Sequence, residues 1–207
     1  MEGVADEPHP HFGRIQDWDV QDVTDMGHLF QERAAFNRDL SAWDVGNVTY
    51  MYSMFSGAAA FNGDLSAWDV GNVFTMTGMF AGAVAFDGDL SGWNVRRVTS
   101  TAYMFHDATA FQGTGLSEWK IGRSIISDTP VVKMEGMFLG ATAFDEDISG
   151  WDVGNVVSME GMFRGATAFS KDLSGWDVSH VAHTAYMFLD ATSYTAELPR
   201  GTSRDTG

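Results

Sequence analysis

Seven tryptophans stand at Trp18, Trp43, Trp68, Trp93, Trp119, Trp151 and Trp176, and the steps between them are 25, 25, 25, 26, 32 and 25 residues. Other columns keep the same time. One aromatic recurs at Phe30, Phe55, Phe80, Phe105, Phe138, Phe163 and Phe188, and a second follows six residues later at Phe36, Phe61, Phe86, Phe111, Phe144, Phe169 and Tyr194. A fixed period of this length is the mark of a stacked repeat. One such unit cannot cover its own apolar side and must lay it against its neighbours.

Within one unit, Leu40 to Phe61 reads LSAWDVGNVTYMYSMFSGAAAF. Trp43 and Val45 alternate about a polar Asp44, the period of a short strand with one buried face. Gly46-Asn47 breaks the strand. The apolar positions then change spacing to Val48, Met51, Met54, Phe55 and Ala58, steps that suit a short helix or 3-10 turns. Thr49 is placed to cap that segment and Gly57 to end it, and Asn62-Gly63 turns the chain onward. The fold expected is therefore an α/β repeat. It is a leucine-rich-repeat-like solenoid of about seven coils, each about 25 residues long. A short parallel sheet should line one face and short helices or 3-10 turns the other. The twelve methionines follow the same register, where an unbranched thioether fills gaps between aromatic rings. Residues 14–198 form the repeat domain, 1–13 a flexible segment or weak cap, and 199–207 a disordered tail.

The run FNGDLSAWDVGNVFTMTGMFAGAVAF resembles the BspA-type leucine-rich repeats of surface proteins. It is most similar to the subgroup common in mycoplasma surface lipoproteins and found also in microalgae. The elements W-D-V-x-x-V-x-x-M, x-M-F-x-x-A and F-x-x-D-L carry the likeness from about Ile15 to Leu198. The resemblance implies a right-handed solenoid used for surface display, protein recognition and adhesion, with no catalytic residues, and an extracellular or cell-surface location.

Composition narrows the classes. The absence of cysteine excludes disulfides, thiol nucleophiles and Cys-based zinc sites. A formal net charge of −16 repels phosphate backbones, so nucleic acid is not the expected partner. No apolar run reaches the roughly 18 residues of a membrane helix. Met1 to Phe12 lacks the basic-then-apolar pattern of a leader. No phosphate loop, nucleophile elbow or dinucleotide fingerprint occurs, so neither an enzyme nor a cofactor is expected.

Three groups are candidates for function. Asp19, Asp44, Asp69, Asp152 and Asp177, with Asn94 and Lys120 as exceptions, sit between Trp and Val, while Asp39, Asp64, Asp89, Asp147 and Asp172 precede the strand. Carboxylates about 5 Å apart repel by about 3 kcal/mol at an effective dielectric of 20, so such columns need an offsetting interaction. Backbone N–H bonds to the Asp39 column, bridging calcium, or a basic partner would each supply one. The second group surrounds the irregular repeat. The insertion Ile121 to Pro130 must leave the stack as a loop, and five of the chain's basic residues fall between Arg96 and Lys133. Arg96, Arg97, Lys120, Arg123, Ser124, Asp128 and Lys133 are the expected partner-binding residues. The histidines come third: His180 and His183 are three apart, and His9 and His11 lie near the start, without further ligands to complete a metal site.

The function expected is a protein-recognition, adhesion or scaffold module with a protein partner. One alternative is a structural subunit that docks edge-on in a larger assembly or associates end to end, since the chain shows no capping helix. Another is a calcium-binding repeat surface. Ice binding is disfavoured, because the outward columns offer Asp and Ser rather than threonine arrays.

Overall fold

In the computed structural model, residues 13–121 and 132–202 are described. Successive repeats lie side by side in parallel. Single parallel bridges join Asp25 to Tyr50, Tyr50 to Thr75, Thr75 to Ser100 and Ser100 to Lys133, and later Ser158 to His183. Between them β1 (Val132–Lys133) pairs in parallel with β2 (Val156–Ser158). These residues form one column down the molecule, with a step of 25 residues except across the insertion.

The bridge falls elsewhere than the alternation of Trp43 and Val45 suggests. Asp39 and Asp44 each draw a backbone N–H two residues ahead, and tight turns close on Leu40 and Val45. That backbone closes local turns and no bridge falls on Trp43–Val45, although the equivalent Asp177 both accepts a turn N–H and bridges Arg200. The repeats are tied together there by the indoles. Trp68 Nε1 donates to Leu40 O at 3.0 Å, Trp93 to Leu65 O at 3.0 Å, Trp119 to Leu90 O at 3.0 Å and Trp151 to Leu116 O at 2.8 Å.

The segment after the bridge is a ribbon of turns, not an α-helix. Alternate N–H groups reach the next repeat: Met51 to Thr75 O at 3.1 Å, Ser53 to Thr77 O at 2.8 Å, Phe55 to Met79 O at 2.8 Å and Gly57 to Ala81 O at 2.7 Å. The N–H groups between them close local turns, as Ser56 does on Ser53 O at 3.2 Å. Two positions four residues apart take positive φ in each repeat, for example Ser53 at 52° and Gly57 at 71°, Gly78 at 61° and Gly82 at 69°. An α-helix admits no left-handed residues in its interior. Steps of three and four residues nonetheless place Met51, Met54, Phe55 and Ala58 inside, all fully buried.

Two files of phenyl rings fill the core. Phe30, Phe55, Phe80, Phe105, Phe138, Phe163 and Phe188 follow one another at 5.3–5.8 Å between centroids. Each is flanked within its own repeat by the second aromatic, as Phe55 is by Phe61 at 3.9 Å. Neither file is interrupted where the period lengthens, and Trp119 stacks on Trp151 at 6.3 Å and 6°. The described rings thus keep their stacking across the long step. The step of 26 is absorbed by Gly115, at φ 90°, just before the 3-10 turn Leu116–Glu118.

The segment from Pro199 was expected to be a tail. Its first part is paired instead: Arg200 bridges Asp177 in parallel, and Val178 N–H donates to Arg200 O at 2.8 Å. Residues 203–207, and 1–12 with the expected N-terminal cap, lie outside the described residues.

Candidate functional site

Nearly every polar group in the repeat has a structural task, so the informative ones are those without one. Both aspartate columns are occupied. In the outer column Asp39, Asp64, Asp89, Asp147 and Asp172 accept the N–H of Ser41, Ser66, Ser91, Ser149 and Ser174 at 2.8–3.0 Å. In the column between Trp and Val, Asp44, Asp69, Asp152 and Asp177 accept the N–H of Gly46, Gly71, Gly154 and Ser179 at 3.0–3.1 Å, and Asp19 that of Gln21 at 3.2 Å. Asn94 does the same to Arg96 at 3.4 Å. The offsetting interaction thus serves both columns, where the sequence pointed to one. The serine hydroxyl and N–H hold the Asp39 carboxyl below the usual range, and the Ser66, Ser149 and Ser174 N–H groups, with their hydroxyls, do so for Asp64, Asp147 and Asp172. Among the described residues no group of three His, Asp or Glu side chains is placed to hold a metal ion.

A third column takes part in capping, and it changes character along the molecule. The N–H two residues past the bridge is capped by the bridging side chain in three repeats. Gly27 donates to Asp25 Oδ1 at 2.8 Å, Thr77 to Thr75 Oγ1 at 3.3 Å and Ala102 to Ser100 Oγ at 3.4 Å. In the fifth repeat the bridging residue is Lys133, which has no acceptor. Two residues on, Glu135 and its successor Glu160 replace the small Thr77 and Ala102. Tyr103, Lys133, Glu135, Ser158, Glu160 and His183 line a hollow of about 490 Å³ on this face. Gly136 lets the Tyr103 ring lie against its backbone, where a Cβ would collide with that ring. Glu135 Oε2 is shielded from solvent without a hydrogen-bond partner. No salt bridge among the described residues involves Lys133, Glu135 or Glu160.

The expected basic patch is divided. Arg96 and Lys120, both exposed, line one depression of about 220 Å³ with Glu118 and Asn94. Arg97 has a structural role: its guanidinium lies 4.8 Å over the Phe74 ring and donates to Asn72 Oδ1 at 3.0 Å. Lys133 belongs to the larger hollow. Arg123, Ser124 and Asp128, with the rest of the inserted loop beyond Ile121, lie outside the described residues. Of the histidines, His180 contacts Val153 O at 3.1 Å and His183 enters the hollow, while His9 and His11 lie outside. Reading the sequence by columns of identical residues passed over Glu135 and Glu160, in the variable column of Thr77 and Ala102, and Tyr103, in the next column beside Gly78 and Gly136. The available signal was the loss of a capping group at Lys133.

A protein-family model described as "Mycoplasma protein of unknown function, DUF285" matches residues 2–119 and 126–203. No curated protein and no solved structure matches the chain. Among the described residues no helix is long and apolar enough to cross a membrane.

Proposed function

We propose, for a chain that belongs to the DUF285 family of mycoplasma-type repeat proteins, a non-catalytic recognition module of the adhesion or scaffold kind. The reading takes the parallel stack as a leucine-rich-repeat-like solenoid of BspA type, displayed at a cell surface. It binds a protein partner through the face that holds the bridges. One observation supports it: Lys133 stands where Thr75 and Ser100 cap a backbone N–H, and among the described residues Lys133, Glu135 and Glu160 line one hollow and form no ion pair. Charged side chains with no structural task, on a rigid frame, are available to a partner at little ordering cost. Arg96 and Lys120, exposed beside one depression, form a second contact.

The test is capture of a partner from the native source by the full chain and by three variants. Deletion of residues 122–130, the pair Arg96→Glu with Lys120→Glu, and Lys133→Glu should each reduce capture while the protein stays folded. Undiminished capture by all three contradicts the reading.

A further inference from the structure

We infer that Asn62–Gly63 is a site of spontaneous covalent modification, where the asparagine side chain closes onto the next backbone nitrogen and reopens as aspartate and isoaspartate. This stands apart from the recognition reading. Of the six asparagines only Asn62 precedes a glycine. It is exposed, in the return loop between repeats and outside any helix or strand. Gly63 has no β-carbon to obstruct attack on its neighbour, and its backbone range is wide. Its N–H donates no hydrogen bond among the described residues, so none must break before the nitrogen reacts. Asn62 Oδ1 accepts the N–H of Asp87 at 2.9 Å. That bond places a donor on the oxygen that gains charge when Cγ is attacked.

The step needs only water. The Gly63 nitrogen loses its proton to solvent and bonds to Asn62 Cγ. The Cγ–Nδ2 bond breaks, and Nδ2 leaves as ammonia after taking a proton from solvent. Water then opens the cyclic succinimide at either carbonyl. One opening gives aspartate, and the other gives isoaspartate, with the chain running through the β-carbon. Nothing is oxidised or reduced.

The neighbouring repeats show what each product does to the stack. In the same column Asn37 Oδ1 accepts Asn62 N–H at 3.0 Å, Asp87 Oδ1 accepts Gln112 N–H at 2.9 Å and Asp145 Oδ1 accepts Ser170 N–H at 2.9 Å. Aspartate therefore serves there as asparagine does, so the first product keeps the bond between repeats and adds a negative charge beside Asp87. Isoaspartate lengthens the backbone by an atom in a loop whose two ends are held by stacked repeats, and strains it. Asn37 has the same task and is also exposed, but it precedes Arg38, which makes it an internal control.

The experiment incubates the full folded chain at neutral and mildly alkaline pH and maps its peptides by mass spectrometry, with enzymatic methylation of isoaspartate as a second readout. The Asn62 peptide should gain the mass difference between an amide and an acid and split into two isomers. Conversion should be faster at higher pH, because the attacking nitrogen must lose a proton. Asn37 should convert at least about tenfold more slowly, since the residue after it carries a β-carbon. Gly63→Ala should slow Asn62 to a similar rate. A Cβ at that glycine would lie 3.0 Å from the Phe61 ring, so Asn62→Gln, with the side chain that Gln112 brings to this column, is the second variant and should abolish conversion. The inference is overturned if Asn62 converts only in denaturant, if Asn37 converts as fast, or if aspartate forms without isoaspartate, which would mean direct attack by water.

Discussion

The most repeated residues in this chain are occupied by turns. An aspartate column on a repeat protein invites a cation, yet each of these carboxylates accepts the N–H two residues ahead, and the repeat that carries Asn94 keeps the same geometry. An amide oxygen can do this work; a methyl group cannot. Asp64→Asn, which keeps the acceptor and loses only the charge, should therefore lower the melting temperature less than Asp64→Ala. Asp64→Ala should lower stability by about 1 kcal/mol, the usual cost of a lost side-chain cap. Thermal unfolding of the two variants checks this, and equal losses from both would show that charge rather than capping matters. The DLSAWDV phrase gave away its buried Leu, Trp and Val by alternation alone. The tasks of its two aspartates were only half legible, because a turn acceptor and a cation ligand use the same residue type.

Among the elements, the sequence showed which residues are inside but not how the backbone puts them there. Spacings of three and four residues are shared by an α-helix and by a ribbon of tight turns, so Val48, Met51, Met54, Phe55 and Ala58 fit both. What distinguishes them is the pair of left-handed residues, four positions apart, in each repeat. Glycine at 78, 82, 136, 140, 161 and 165 was the visible trace of it, and Ser53, Tyr103 and Asp107 in the same columns hid it. The parallel bridge was misplaced for a related reason. Trp43 and Val45 alternate like a strand, but Trp43 N–H closes a turn on Leu40 O, Val45 O accepts from Val48 N–H, and it is Leu40 O that receives the Trp68 indole. The step of 26 residues depends on Gly115. Its φ of 90° is combined with a Cβ position 2.3 Å from Ser91 N, which leaves no room for a side chain. Gly115→Ala should cost about 2–4 kcal/mol through strain and displaced backbone. Gly175→Ala, with open space around it, should cost far less. Chemical denaturation of the pair measures the difference.

At the scale of the whole molecule, the repeats act as one ladder of indole bonds, stacked phenyl rings and forward N–H bonds, and the acidic surface is tied to it. The carboxyls of Asp39, Asp64, Asp147 and Asp172 sit below their ordinary values because serine groups bond the ionised form. A depressed folded-state value means that the stabilisation is fully present above the unfolded value, about 3.9. It is lost as pH falls through the folded value. The melting temperature should hold from pH 7 to about pH 5 and fall below about pH 4. A rise over that acid range would mean that relief of the −16 net charge outweighs the turns.

The chain divides into positions used by the fold and positions released from it, with Lys133 the clearest of the released ones. Its equivalents Thr75 and Ser100 cap a backbone N–H, and Thr75 bridges as Lys133 does. Lys133→Thr returns a capping hydroxyl to that place, so one variant separates the two uses. The most direct measurement follows melting temperature and partner affinity together for this variant. The account predicts a melting temperature equal to or above that of the natural chain, with affinity reduced about tenfold or more, as for truncating a charged contact at an interface centre. Full affinity, or a marked loss of stability, would contradict it.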